Sequence, residues 1–126
     1  KQRGIDMNLN NACNLRCKHC FTESPIGKHV KDYLPKEKIA EIADQADELG
    51  IFEWDLQGGE LLSRPQLLFD PLKAMKTERF YVYLTTNGWY MTEEIAQTLA
   101  DHGVNRVSVS IDSMEAETHD RFRGRV

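Results

Sequence analysis

All the cysteine in this chain lies in one short run, CNLRCKHC, as Cys13, Cys17 and Cys20. An odd set packed this tightly cannot staple a disulfide framework, so the fold must come from hydrophobic patterning and the thiols must serve something else. Three thiolates form an incomplete ligand set for a four-iron, four-sulfur cluster, which takes one cysteine per iron; one iron would stay open to another ligand. Free thiols, and no apolar leader behind Lys1-Gln2-Arg3, lead us to expect a reducing, cytoplasmic setting.

Two plainer accounts of the same residues stay open at this point. Spaced i, i+4 and i+7, the cysteines could be a buried helical stripe, since a free cysteine packs as a small hydrophobe. Asn10, Asn11, Asn14, Lys18 and His19 give such a stripe little apolar company. A zinc site could take the three thiolates plus His19 or His29, although structural zinc cysteines usually come as two distant pairs.

Charge and hydropathy narrow the partners. The net charge is −4, from 16 basic and 20 acidic residues mixed along the chain, and no basic stripe marks a nucleic-acid footprint. The longest apolar runs, near 67–69 and 80–84, fall far short of the ~20 residues a membrane span needs. The 126 residues suffice for one domain with a modest core.

Periodicity supplies the elements. Ile5, Met7 and Leu9 alternate with Asp6, Asn8 and Asn10, as in a half-buried strand that runs into the cysteine loop. After a polar connection over 23–32, Pro35 opens a helix marked by Ile39, Ile42, Ala43, Ala46 and Leu49, and Gly50 is placed to end it in a left-handed cap. A strand over 52–57 leads to Gly58-Gly59-Glu60. Residues 64–76 read as a helix broken near Asp70-Pro71, because proline lacks the N–H donor. A third strand over 80–85 ends in Thr86-Asn87-Gly88. Thr92 is set to cap a helix carrying Ile95, Ala96 and Leu99 on one face, with Gly103 beyond it. A fourth strand spans 106–111, and Ser113 with Glu115 suggests one more helix start.

Strands alternating with helices predict a parallel α/β sheet with right-handed crossovers. Val107, Val109 and Ile111 share one face of the fourth strand while Ser108, Ser110 and Asp112 share the other, and Asp6, Asn8 and Asn10 do the same on the first. A parallel sheet sandwiched between helices is apolar on both faces, so a polar face favours a barrel with a ligand-holding lumen. Cys13 to Cys20, Gly58 to Glu60 and Thr86 to Gly88 each follow a strand. In parallel α/β folds such segments gather on one rim, where ligands bind.

These residues, taken in this order, resemble the radical S-adenosylmethionine enzymes from about Met7 onward. CNLRCKHC together with His119-Asp120-Arg121-Phe122-Arg123-Gly124 is most similar to the branch that modifies peptides, or sometimes small molecules, and usually carries a cysteine-rich C-terminal extension. The resemblance implies four strand-helix units of a partial (β/α)6 TIM-like barrel, residues 1–126 being the N-terminal part of a catalytic domain whose chain looks truncated. It implies a 4Fe-4S cluster on Cys13, Cys17 and Cys20, with S-adenosyl-L-methionine on the open iron. Reductive cleavage of the sulfonium would give methionine and a deoxyadenosyl radical that abstracts hydrogen from substrate.

Further roles are implied by the same resemblance. Gly58 and Gly59 would let the backbone approach the methionyl group, and Glu60 would lie in the segment holding its amino group. Ser110 and Asp112 are candidates for the ribose hydroxyls and methionyl end, Asn87 for the same shell, and Arg123 for the carboxylate. His19 and Phe21 flank the cysteine nearest the adenine. No side chain is assigned as a catalytic acid or base. Leu61 stands where the family usually has proline, which implies a looser turn, and His19 stands where an aromatic residue is frequent. Partners implied are a peptide or small-molecule substrate (a porphyrinoid, nucleoside or sugar), a reductase or a flavodoxin- or ferredoxin-type electron donor, and the remaining half of the same protein. A zinc-binding module without catalysis is the alternative from another class.

Overall fold

A computed structural model describes residues 4–22 and 33–124. The polar connection expected over 23–32, with His29, lies outside the described residues. The elements are β1 (Gly4–Asn8), α1 (Lys36–Glu48), β2 (Glu53–Gln57), α2 (Gln66–Ala74), β3 (Tyr81–Thr86), α3 (Glu93–Asp101), β4 (Val104–Val109) and α4 (Ala116–Arg123), with 3-10 turns at Leu61–Ser63 and Thr77–Arg79. All strand pairs are parallel, and their spatial order follows the chain, β1-β2-β3-β4. A doubly wound sheet reverses direction at a switch point; this sheet does not, and successive barrel strands are laid down in just this way.

Helix ends obey local chemistry. Past α1, Gly50 takes φ 69°, its N–H bonds Asp47 O at 3.0 Å and the Ile51 N–H bonds Ala46 O at 2.8 Å, the paired bonds of a Schellman cap. The Thr92 hydroxyl accepts from Ile95 N at 3.2 Å at the start of α3. Before α4 the Ser113 hydroxyl accepts from Glu115 N at 3.1 Å.

The core lies between one face of the sheet and its helices. Trp54, Leu56, Val82 and Leu84 from the strands meet Ile39, Ala43, Leu68, Leu72 and Leu99, all essentially without exposure. Burial of this kind stabilises by roughly 1.5–3 kcal/mol for each large side chain.

Several expectations need correction. The helix over 64–76 is not broken at Pro71: α2 runs through it, because Pro71 and Leu72 are buried and that packing outweighs one missing backbone bond. Asn10 belongs to no strand and does not face a lumen; it is 3 % exposed, its Oδ1 accepting from Ala12 N at 3.0 Å as the chain turns. Ala96 and Leu49 are exposed rather than packed. The strand expected over 106–111 runs instead over Val104–Val109: Val107 packs on the core, Val109 at its end is exposed, and Ile111 lies beyond it and is exposed.

Opposite the core, the sheet is polar. A bulge at Asn105, whose Oδ1 accepts from Val82 N at 2.7 Å, sets Tyr83 against Arg106. Asp6, Asp55, Tyr83 and Arg106 thus form one cross-strand row, with the Arg106 guanidinium 4.7 Å from the Tyr83 ring centroid. Partial burial raises the Asp55 pKa, the Asp6 charge raises it further, and Arg106 partly opposes them. A carboxyl raised on folding contributes most at low pH and loses that contribution as pH rises through its folded pKa. Asp55→Asn is therefore expected to stabilise the fold at pH 7, by roughly 0.2–1 kcal/mol for a relieved like-charge cross-strand pair. The gain should vanish toward pH ~4, near the unperturbed aspartate value; denaturant melts at both pH values check it.

Candidate active site

Beyond the strands, the ladder between β1 and β2 continues into their loops. Leu9 N donates to Gln57 O at 3.0 Å, Gly59 N to Asn10 O at 2.9 Å, and Glu60 N to Ala12 O at 2.7 Å. The cysteine loop is thereby zipped to Gly58-Gly59-Glu60. A Cβ on Gly58 would stand 2.1 Å from Asn10 O, and one on Gly59 2.1 Å from Ala12 O, so only glycine admits this contact. The missing side chains are accounted for by loop packing first.

Glu60 ties in the third loop. Its residue has no exposed surface, and its carboxylate accepts from Leu62 N at 3.1 Å, Thr86 Oγ1 at 2.7 Å and Asn87 N at 2.7 Å. The Asn87 amide donates on to Asn14 Oδ1 at 2.9 Å, inside the cysteine run. Leu61, where a looser turn was expected, is fully buried, and Glu60 caps the 3-10 turn that it begins.

From the opposite side, the end of α4 closes on the cysteines. Lys18 N donates to Phe122 O at 3.0 Å, and the His19 ring stacks on Phe122 with centroids 4.7 Å apart. Gly124 is left-handed at φ 71°, and a Cβ there would lie 2.0 Å from Arg16 O. Arg123 forms an ion pair with Asp112 rather than an aligned hydrogen bond, Nε to Oδ2 being 2.5 Å, and its Nη1 donates to Cys17 Sγ at 3.8 Å. Asp112 Oδ2 also lies 3.9 Å from His19 Nε2.

Between these segments lies a cleft of about 250 Å³. Cys13, Cys17, Cys20, Gly58, Gly59, Asn87, Ser110 and Arg123 line it, with His19 and Phe21 at one side. Two anticipated residues stand apart: Glu60 is sealed beneath the floor, and Asp112 reaches the cleft through Arg123. Thr86 lines it too, from the rim segment expected over 86–88, whereas Gln57, Thr85 and Thr22 also line it and were not anticipated. Gln57 is the last residue of β2 and Thr85 the last but one of β3, both on the polar face, so the period-two pattern carried that signal.

The donor set fits a cluster better than one ion. Among the described residues, no three His, Cys, Asp or Glu side chains converge on a point where a single metal could sit. A cluster takes each thiolate to a different iron, so its cysteines need not converge. Leu15 N donates to Cys13 Sγ at 3.5 Å, as backbone amides do to cluster sulfurs. Burial raises the Cys13 thiol pKa, the Leu15 amide opposes that, and nearby Cys17, Glu60 and Cys20 add to it. Metal loading must displace such protons.

The Radical SAM superfamily model matches residues 7–126, and this chain belongs to that superfamily. Members of the superfamily are enzymes that use a 4Fe-4S cluster and S-adenosylmethionine. The chain is 40% identical over 126 residues to an AdoMet-dependent heme synthase of Methanosarcina barkeri, covering 97% of this chain and 34% of that protein. It is 31% identical over 129 residues to the mycofactocin maturase MftC of Mycobacterium tuberculosis, covering 98% and 32%. The crystal structure of Streptococcus suis SuiB bound to S-adenosylmethionine superposes with TM-score 0.75 at 18% identity, over 94% of this chain and 27% of SuiB, which shows a shared fold. The chain thus spans about a third of the length of the curated relatives it matches.

Two substitutions test the loop geometry. Glu60→Gln places an amide against three donors and leaves at least one of them unsatisfied, so equilibrium unfolding is expected to show a loss of about 1–3 kcal/mol. Gly59→Ala is expected to lower iron and sulfide content after anaerobic reconstitution. Gly50→Ala, at a left-handed site with no atom within 4 Å, should leave that content unchanged while costing roughly 1–2 kcal/mol of stability.

Proposed function

We propose that this chain is the N-terminal part of a catalytic domain that cleaves S-adenosylmethionine reductively and uses the resulting radical to abstract hydrogen from an organic substrate. The observation supporting it is the gathering of three thiols, a glycine-lined backbone edge and Arg123 around one cleft at the carboxyl ends of parallel strands. When bound, the cluster supplies the electron that breaks the sulfonium bond. Cys13, Cys17 and Cys20 would hold three of its irons. The backbone of Gly58 and Gly59, with Asn87 and Ser110, offers polar atoms to the methionyl and ribose groups, and Arg123, held by Asp112, a guanidinium for the carboxylate. His19 and Phe21 offer rings to the adenine. The chain's own work is binding, orientation and exclusion of water.

Two substrate readings have support. The similarity to a maturase, with the motif at 119–124, supports a peptide. The similarity to a heme synthase supports a small metabolite of the tetrapyrrole kind, and its higher identity gives that reading the greater weight. We place the enzyme in a reducing compartment with a flavodoxin- or ferredoxin-type donor. No helix among the described residues is long and apolar enough to cross a membrane.

The test uses the complete polypeptide carrying this span, reconstituted without oxygen. Expected are a broad absorption near ~400 nm, a change in the electron paramagnetic resonance of the reduced cluster on adding S-adenosylmethionine, and release of methionine and 5′-deoxyadenosine. Cys17→Ala should abolish all three. A colourless protein with stoichiometric zinc would overturn the proposal. Mass spectrometry of tetrapyrrole and peptide substrates then decides between the two readings.

A further inference from the structure

The Arg123 side chain is held at the cleft by two partners. Its side chain is 12% exposed, Asp112 neutralises it across Nε, and Nη1 reaches the sulfur of Cys17. The backbone on either side of it is pinned as well, by Lys18 N on Phe122 O and by the close approach of Gly124 to Arg16 O. A side chain fixed this firmly beside one thiol is placed for a purpose that ligand capture alone does not explain. We infer that Arg123 sets the electron affinity of the cluster by donating to the Cys17 sulfur, with Asp112 holding the guanidinium in register.

The inference rests on the proposed function, since it needs Cys17 to carry an iron. Hydrogen bonds to cluster sulfurs, and positive charge beside them, stabilise the reduced and more negative state and so raise the potential. Partial burial strengthens both effects, because the local dielectric is low. A guanidinium has five N–H donors in a fixed fork, so contact with Asp112 and Cys17 is compatible with a role at the cofactor carboxylate. The aspartate keeps the fork aimed, and the arginine does the tuning.

The test is a redox titration of the complete reconstituted polypeptide, followed by electron paramagnetic resonance and run without S-adenosylmethionine. That omission removes any contribution from carboxylate binding. Arg123→Ala is expected to move the midpoint to a more negative value, and Arg123→Lys, which keeps the charge, to move it less. Resonance Raman should show the iron–thiolate stretch rising in Arg123→Ala, because a hydrogen bond to the sulfur has been removed. If the alanine variant assembles no cluster, Arg123→Gln replaces it and must titrate below Arg123→Lys. Equal midpoints in proteins that carry the full complement of iron and sulfide overturn this inference while leaving the proposed function intact. A native protein that takes up no iron overturns both.

Discussion

The site depends on one buried carboxylate. Glu60 has no exposed surface, yet it accepts three hydrogen bonds, two from backbone amides and one from a hydroxyl. A charge without partners there would cost several kcal/mol. Satisfied, it locks the end of β3 to the loop after β2, and the amide of that same residue holds the loop after β1 through Ala12 O. Three segments far apart in sequence therefore share one hub, and none can shift alone. This is how a sheet positions a cysteine loop that has almost no regular structure of its own.

The sheet adds a second constraint. Its core face is closed by apolar side chains, while the row Asp6, Asp55, Tyr83 and Arg106 fills the other face with charge. The Asn105 bulge is what brings Arg106 into line with Tyr83, and the displaced residue meets the Val82 amide with its own side chain.

Much of this was legible in the sequence because it is written in local chemistry. Helix ends at Gly50, Thr92 and Gly103 follow from capping geometry, and strand faces follow from alternation. What could not be read is tertiary. Pro71 inside α2 violates a propensity rule that core packing overrides, and Asn10 leaves the strand pattern because its side chain serves the turn at Ala12. Strand four runs over Val104–Val109 instead of 106–111, and the bulge near its start has no strong sequence signature. The order of the loop motifs was visible, and so was their convergence on one rim. The partner of each side chain was not.

Gly58 and Gly59 are read most easily as bare backbone for a ligand, and Glu60 as a charged contact to it. The structure gives all three an internal task first: the glycines admit the cysteine loop at contact distance, and the carboxylate faces inward. His19 and Arg123 likewise have protein partners in Phe122, Asp112 and Cys17. A ligand entering the cleft therefore meets backbone edges and side-chain faces that are already oriented, which is preorganisation in the ordinary thermodynamic sense. A residue of a short motif can shape a cleft without facing it, and Glu60 does so here by fixing the loops around it.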